Sequence, residues 1–331
     1  MDKFKVQCGV SRVYNVSIDN FIAATGEKEP FVGEKPGGEF SCYAVCPACE
    51  NPIQLIGLYK NTVEGGKKPY GRHNKGSVPR LAVYNEADYL DCLYSNPNKK
   101  NTNLYRSPDS GIPKKVVELL FSQFDRIIYI LSKDIDMRIS YETARRMLEI
   151  YMANEGYRYR VATLYNIPWV LGEVQRALPM FGRKILKDSE LHRQLKDKVK
   201  DIDFVEKDTD KYVQVRHKQG SYLDLHFLIC NHNHHKNGED EDKENMQETV
   251  DLWVFQGSST NIETVYRKTI VINTDYFINL VLKEDAYRNM ELLKIAAEVK
   301  SKTGKVAAMK STFGVIPSDA DLNKAKDGRL S

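Results

Sequence analysis

The sequence predicts an α+β fold in three parts: a small N-terminal α/β module, a helical middle section, and a C-terminal antiparallel sheet with closing helices. Three observations predict it. Four of the six cysteines fall between Cys42 and Cys92. From Pro113 the apolar residues recur at three- and four-residue steps, the helical period. From about residue 201 they alternate instead, the strand period. The boundaries that follow are 1–105, 106–200 and 201–300, with a polar basic tail over 301–331.

In the first part, KVQCGV and VYNVSI read as short strands and GEKEPFVGEKPGGEF as a polar loop. The stretch FSCYAVCPACENPIQ then sets Cys46 and Cys49 in a C-P-x-C knuckle, a tight turn that aims two thiolates at one point. Zinc takes four nitrogen or sulfur ligands at fixed short distances, and a C-x2-C pair with two distant ligands supplies them. His73 and Cys92 arrive after 23 and 18 further intervening residues. Cys42 competes with His73 for one place, since Cys42, Cys46, Cys49 and Cys92 make an all-thiolate set. Either set fills every position, so the motif reads as a zinc-stapled module with no site for a reactive water. The bland reading is reduced thiols in a small core. The device resembles zinc ribbons and knuckles in general, which names no one family. Ile53, Leu55, Ile56 and Leu58 supply a strand, AVYNEADYLDC a short helix returning Cys92, and SNPNKKNTNLYRSPDSGIP a linker.

In the middle, Val116, Leu120, Phe124, Ile127 and Leu131 mark a long helix entered at Pro113. Ser140 caps a second, with Gly156 past its end; a third begins near Pro168, and Asp188-Ser189 caps a fourth, ELHRQLKDKVK. Further on, YVQVRHK and SYLDLHFLI read as a hairpin about Gly220, and CNHNHHKNGEDEDKENMQ as a long polar connection. TVDLWVF and TVYRKTIVIN continue the sheet, and two helices over DYFINLVL and EDAYRNMELLKIAAEVK close it. Cys8 and Cys230 read as isolated buried thiols.

At 41% hydrophobic and 28% charged, the composition is that of a globular protein. No apolar run is long enough to span a bilayer, and the first residues lack a signal-peptide pattern. A cytoplasmic location is expected, where clustered cysteines bind metal more often than they form disulfides. The net charge of +4 is mild, but it is unevenly spread. Residues 60–106 carry nine Lys/Arg against four Asp/Glu, residues 157–200 ten against four, and residues 236–251 two against seven.

Basic zones of this kind suit phosphates. In KKPYGRHNKG, Lys67, Lys68, Arg72 and Lys75, with Arg80 beyond, are candidate phosphate contacts and Tyr70 a stacking ring. In YRYR, an extended chain would put Arg158 and Arg160 on one face and two tyrosines on the other, with Trp169, Arg176, Arg183 and Lys184 following. The bland readings are a solvated turn and rings in a core. Two further sets carry possible chemistry: His232, His234 and His235 beside an acidic run, and Asp224 with His226 near Glu248 and Asp251. No P-loop, G-x-G-x-x-G, G-x-S-x-G or H-E-x-x-H occurs. The expectation is a zinc-stabilised, non-catalytic nucleic-acid-binding protein, DNA or RNA undecided, within a larger nucleoprotein assembly. The alternatives are a metal-dependent nuclease or other hydrolase on the C-terminal sheet, and an interaction scaffold that docks protein partners through 236–251 or the tail.

Overall fold

The computed structural model describes residues 1–34, 40–59, 68–95, 104–206, 210–237, 245–257, 261–283 and 287–313. The N-terminal elements are β1 (Lys3–Lys5), β2 (Val13–Asn15), α1 (Ile18–Thr25), β3 (Val32–Glu34), β4 (Phe40–Val45), β5 (Pro52–Ile56), β6 (Tyr70–His73) and α2 (Glu86–Leu90). The strands form an antiparallel sheet in the order β2-β1-β4-β5-β6, with β3 also on β4. Strand alternation divides its residues: Cys42, Ala44, Ile53, Leu55 and Gly71 turn inward, while Gln54, Tyr70 and Arg72 turn out. At Gly71 a Cβ would sit 3.0 Å from both Ile53 Cδ1 and Met1 Cγ, so a larger residue would require those side chains to shift. Helix α1 begins at the last residue of the expected strand VYNVSI and fills a stretch where only short strands and turns are expected. Its signals are local: Ser17 accepts from Asn20 N at 3.2 Å, and Gly26 closes the helix at φ 58°.

The middle section holds α3 (Ile112–Ser122), α4 (Phe124–Asp134), β7 (Met137–Arg138), α5 (Tyr141–Ala153), α6 (Ile167–Glu173), β8 (Leu178–Pro179), β9 (Lys184–Leu186) and α7 (Glu190–Lys198). The single long helix expected from Pro113 is two, broken where Gln123 leaves helical geometry at φ −121°. Ser140 and Ser189 cap α5 and α7 through the amides of Thr143 and His192. The chain continues as β10 (Ile202–Val205), β11 (Tyr212–His217), β12 (Leu225–Asn237), β13 (Asn245–Gln256), β14 (Glu263–Val271), α8 (Thr274–Leu282) and α9 (Met290–Phe313).

The expected hairpin about Gly220 does not form. β11 belongs to a sheet in the order β10-β11-β9-β7, and β12 to another, β14-β13-β12-β8. Alternation identifies a strand but not its partner, and β9, already in place, takes the edge of β11. The expected polar connection is shorter than read: β12 and β13 pair out to Asn237 and Asn245, because the backbone ladder is indifferent to side-chain polarity. The acidic run over 238–244 lies outside the described residues, as does the tail over 314–331, although α9 carries the chain to Phe313. One hydrophobic cluster runs from Ile112 to Val299 through the helices and both sheets; the N-terminal sheet has its own, around Phe4, Phe21 and Ile53. No described helix is long and apolar enough to cross a membrane.

Candidate metal centre

The turn between β4 and β5 builds the first half of the site. Cys46 N donates to Asn51 O at 2.9 Å and Glu50 N to Cys46 O at 3.0 Å, with Glu50 in the left-handed region at φ 60°. This folds residues 46–49 back so that both thiols face one point. His73 ends β6 opposite Ile53, on the inward side of the sheet. Cys92 follows α2, whose N-cap Asn85 accepts from Asp88 N at 2.8 Å.

The ligand atoms of Cys46, Cys49, His73 and Cys92 all lie within 4.8 Å of one another. The Sγ atoms of Cys46 and Cys92 are 3.8 Å apart, and Cys49 Sγ is 3.2 Å from His73 Nε2. A tetrahedral ion with metal–sulfur bonds of about 2.3 Å requires a sulfur–sulfur edge of roughly 3.8 Å. The donor set therefore has the compactness to chelate a metal ion. All three cysteines are buried and His73 is half-buried. Cys42 is buried on β4 and lies outside this group.

The outer contacts of the thiols are also in place. Asn51 Nδ2 and the Tyr94 amide approach Cys49 and Cys92 Sγ at 3.4 Å each. Burial opposes a charge on Cys46, but hydrogen bonds from Cys49, Cys92 and the Ala48 and Cys49 amides outweigh it and hold its thiol well below the ordinary range. Burial, and then its bonds with Cys46 and Cys49, push Cys92 well up. Without a cation the three sulfurs thus share limited negative charge; a bound cation is what lets all of them ionise.

Some residues around the centre carry no sequence signal. Glu50 accepts from Lys5, Lys115 and the Gly9 amide, joining the knuckle to β1 and α3. Burial pushes the Glu50 carboxyl up, and Lys5 and Lys115 bring it below its usual value. Arg106, in the expected linker, is buried and donates to Ala162 O at 3.0 Å, with Nε and Nη1 unsatisfied. Burial disfavours its charge, while Cys92 and Asp88 favour it. In sequence, neither Lys5 nor Arg106 differs from a solvated surface cation.

The candidate nucleic-acid contacts divide. Lys68 and Arg72 are exposed, Arg72 reaching Gln54 at 3.3 Å, and Tyr70 is 42% exposed beside them. Lys75 stands over the Tyr89 ring and Arg80 pairs with Glu29; Lys67 lies outside the described residues. YRYR is not extended: Gly156–Arg158 is a 3-10 turn, followed by a bridge at Tyr159. There Arg158 pairs with Glu155 at 2.7 Å and Arg160 donates to Asp91 O at 3.3 Å. Tyr157 and Tyr159 pack on the core, and Trp169 is fully buried, its indole bonded to Asp134 at 2.8 Å. Lys184 pairs with Asp210 at 2.9 Å.

The residues considered for hydrolysis do not assemble. His226 lies opposite Phe255, whereas Glu248 lies opposite His234 and Asp251 opposite Cys230. Asp251 is taken up by Arg267, Asn231 and Thr269. Among the described residues the Cys/His group is the one set of such ligands that converges. His232 is not in a loop. A bulge between Cys230 and Asn233, with Asn231 at φ 57°, turns it inward, between Glu173 at 3.4 Å and Glu248 at 2.5 Å. Cys8 is exposed and Cys230 half-exposed, not buried as expected. Comparison with protein-family models, curated proteins and solved structures finds no match to this chain.

Proposed function

We propose that the chain is a zinc-stabilised, non-catalytic nucleic-acid-binding protein that holds its ligand on the outer face of β5 and β6. One observation carries the reading. On the four-residue strand β6, His73 points into the thiol cluster while Tyr70 and Arg72 point to solvent. A metal gripping His73 would fix the strand whose opposite face bears a stacking ring and a guanidinium, with Lys68 just before them. Single-stranded nucleic acids are held by such pairs, the ring taking a base and the cation a phosphate.

Zinc is the ion the donors favour, because three thiolates and an imidazole suit it and fill a tetrahedron. With four protein ligands it would support the fold rather than activate water. Arg158, Arg160 and Lys184 enter this reading less directly, since each has an internal partner.

The test is a salt titration of binding to single-stranded RNA and DNA. Affinity should be present at low salt and fall with added salt, and Arg72→Gln should reduce the slope by about one. Absence of binding at low salt to either polymer removes the proposal.

A further inference from the structure

Three cationic side chains converge where the β10-β11-β9-β7 sheet meets the start of α5. They line a cleft of about 370 Å³ formed by Arg138, Tyr141, Arg183, Lys184 and Gln214, among others. Arg138 lies directly opposite Lys184, and Lys184 opposite Gln214, so one row crosses three strands. Like charges placed directly across a strand pair cost stability. Arg138 is exposed and makes no hydrogen bond or ion pair to any described residue. Arg183 donates Nε to Pro179 O at 3.1 Å and Nη1 to Thr143 Oγ1, leaving Nη2 unused among the described residues. Burial and then Arg146 disfavour the charge on Arg183, while Glu142 favours it.

The nearby anions do not balance this. Asp210 is paired with Lys184 at 2.9 Å, and Glu142 with Arg146 at 3.3 Å. Arg138 and Arg183 therefore have no carboxylate in ion-pair contact among the described residues, although Asp210 and Glu142 act on them from further off. A fold that sets like charges side by side violates its own local rules, and such violations gather where a ligand resolves them.

We infer that this cleft binds a phosphate monoester group, with Arg138 and Arg183 as its guanidinium forks and Lys184 as a third contact. A monoester carries close to −2 at neutral pH, which matches the excess of two positive charges left by Arg138, Arg146, Arg183 and Lys184 over Glu142 and Asp210. An internal phosphodiester carries one charge and matches it less well. Planar guanidinium groups engage two phosphate oxygens at once, which fixes orientation as well as charge. Tyr141 and Gln214 also line the cleft, the Gln214 amide donating to Gly182 O at 3.1 Å. The group has two possible sources with the same chemistry: the terminal phosphate of a nucleic-acid strand, or a small phosphorylated molecule. The site shares no residue with the β5–β6 face.

The experiment is calorimetric titration of the full chain with inorganic phosphate, and with oligonucleotides that differ only in a 5′-phosphate or 5′-hydroxyl, at fixed ionic strength. Phosphate should bind, and Arg138→Gln should weaken it about tenfold or more, with Arg138→Lys restoring part of the loss. A preference for the 5′-phosphorylated strand that R138Q abolishes assigns the ligand to strand ends. Phosphate binding with no such preference assigns it to a small molecule. Arg138 has no partner to lose, so the variant should melt no lower than wild type. Arg72→Gln should weaken both oligonucleotides alike, so failure of the sheet face and failure of this cleft read differently. No phosphate binding by wild type, or equal binding by R138Q, overturns the inference.

Discussion

Asn51 satisfies both backbone groups of Asn85: its Oδ1 accepts from Asn85 N at 2.6 Å and its Nδ2 donates to Asn85 O at 3.1 Å. The same amide reaches Cys49 Sγ. One side chain thus ties the cysteine knuckle to the start of α2, the helix that returns Cys92. Asn51→Ala would leave two backbone groups of Asn85 without these partners at a site where Asn51 is 1% exposed. The expected cost is about 3 kcal/mol in chemical denaturation. Metal affinity, read by competition with a chromophoric chelator, should fall about tenfold.

Purified protein should contain one zinc per chain by elemental analysis. Cys42→Ser should keep it, because Cys42 lies outside the converging group. Cys92→Ser should lower the content or the affinity sharply, and chelation should open the N-terminal sheet to protease. Full zinc content in Cys92→Ser would exclude the four-ligand assignment.

Glu50 is the shared anion of Lys5 and Lys115, and the Lys5 side chain is fully buried. Glu50→Gln leaves that ammonium without its counter-charge and should cost about 3–5 kcal/mol. Adding Lys5→Met, which removes the stranded charge, should recover much of the loss in denaturant midpoint. No recovery would mean that Glu50 acts through the turn geometry instead.

Burial lowers the pKa of His232, but hydrogen bonds and charge from Glu173 and Glu248 win and raise it from 6.5 to about 9. A folded pKa above the unfolded one gives stability that is complete below about pH 6.5 and lost as pH rises through about 9. The contribution is on the order of 3 kcal/mol. The difference in stability between wild type and His232→Gln should shrink across that window. A difference independent of pH would show that the imidazole is neutral throughout.

The sequence made some of this legible for identifiable reasons. A C-x2-C spacing has few structural uses, so Cys46 and Cys49 announce themselves; serine caps placed α5 and α7 because capping is local. Which third ligand joins depends on β6 pairing with β5, and pairing is not local, so the sequence favours His73 with Cys42 still in competition. For the same reason alternation alone pairs β11 with β12, whereas in the fold β11 lies between β10 and β9. The polar neighbours of His232 point to a loop, whereas the bulge that turns it inward has no composition signature. Alternating rings and arginines at 157–160 suit a binding strip, but the same alternation serves a turn that packs rings inward and pairs its cations nearby.

The two larger of the three hydrophobic clusters have a consequence for how the chain comes apart. Helices α3–α9 and both C-terminal sheets share one interior, so they should melt as a single cooperative unit, and a fragment cut at residue 200 would strand apolar surface rather than fold. The cysteine-bearing sheet, with an interior of its own, should melt in a separate calorimetric step whose midpoint moves with metal while the larger step stays nearly still.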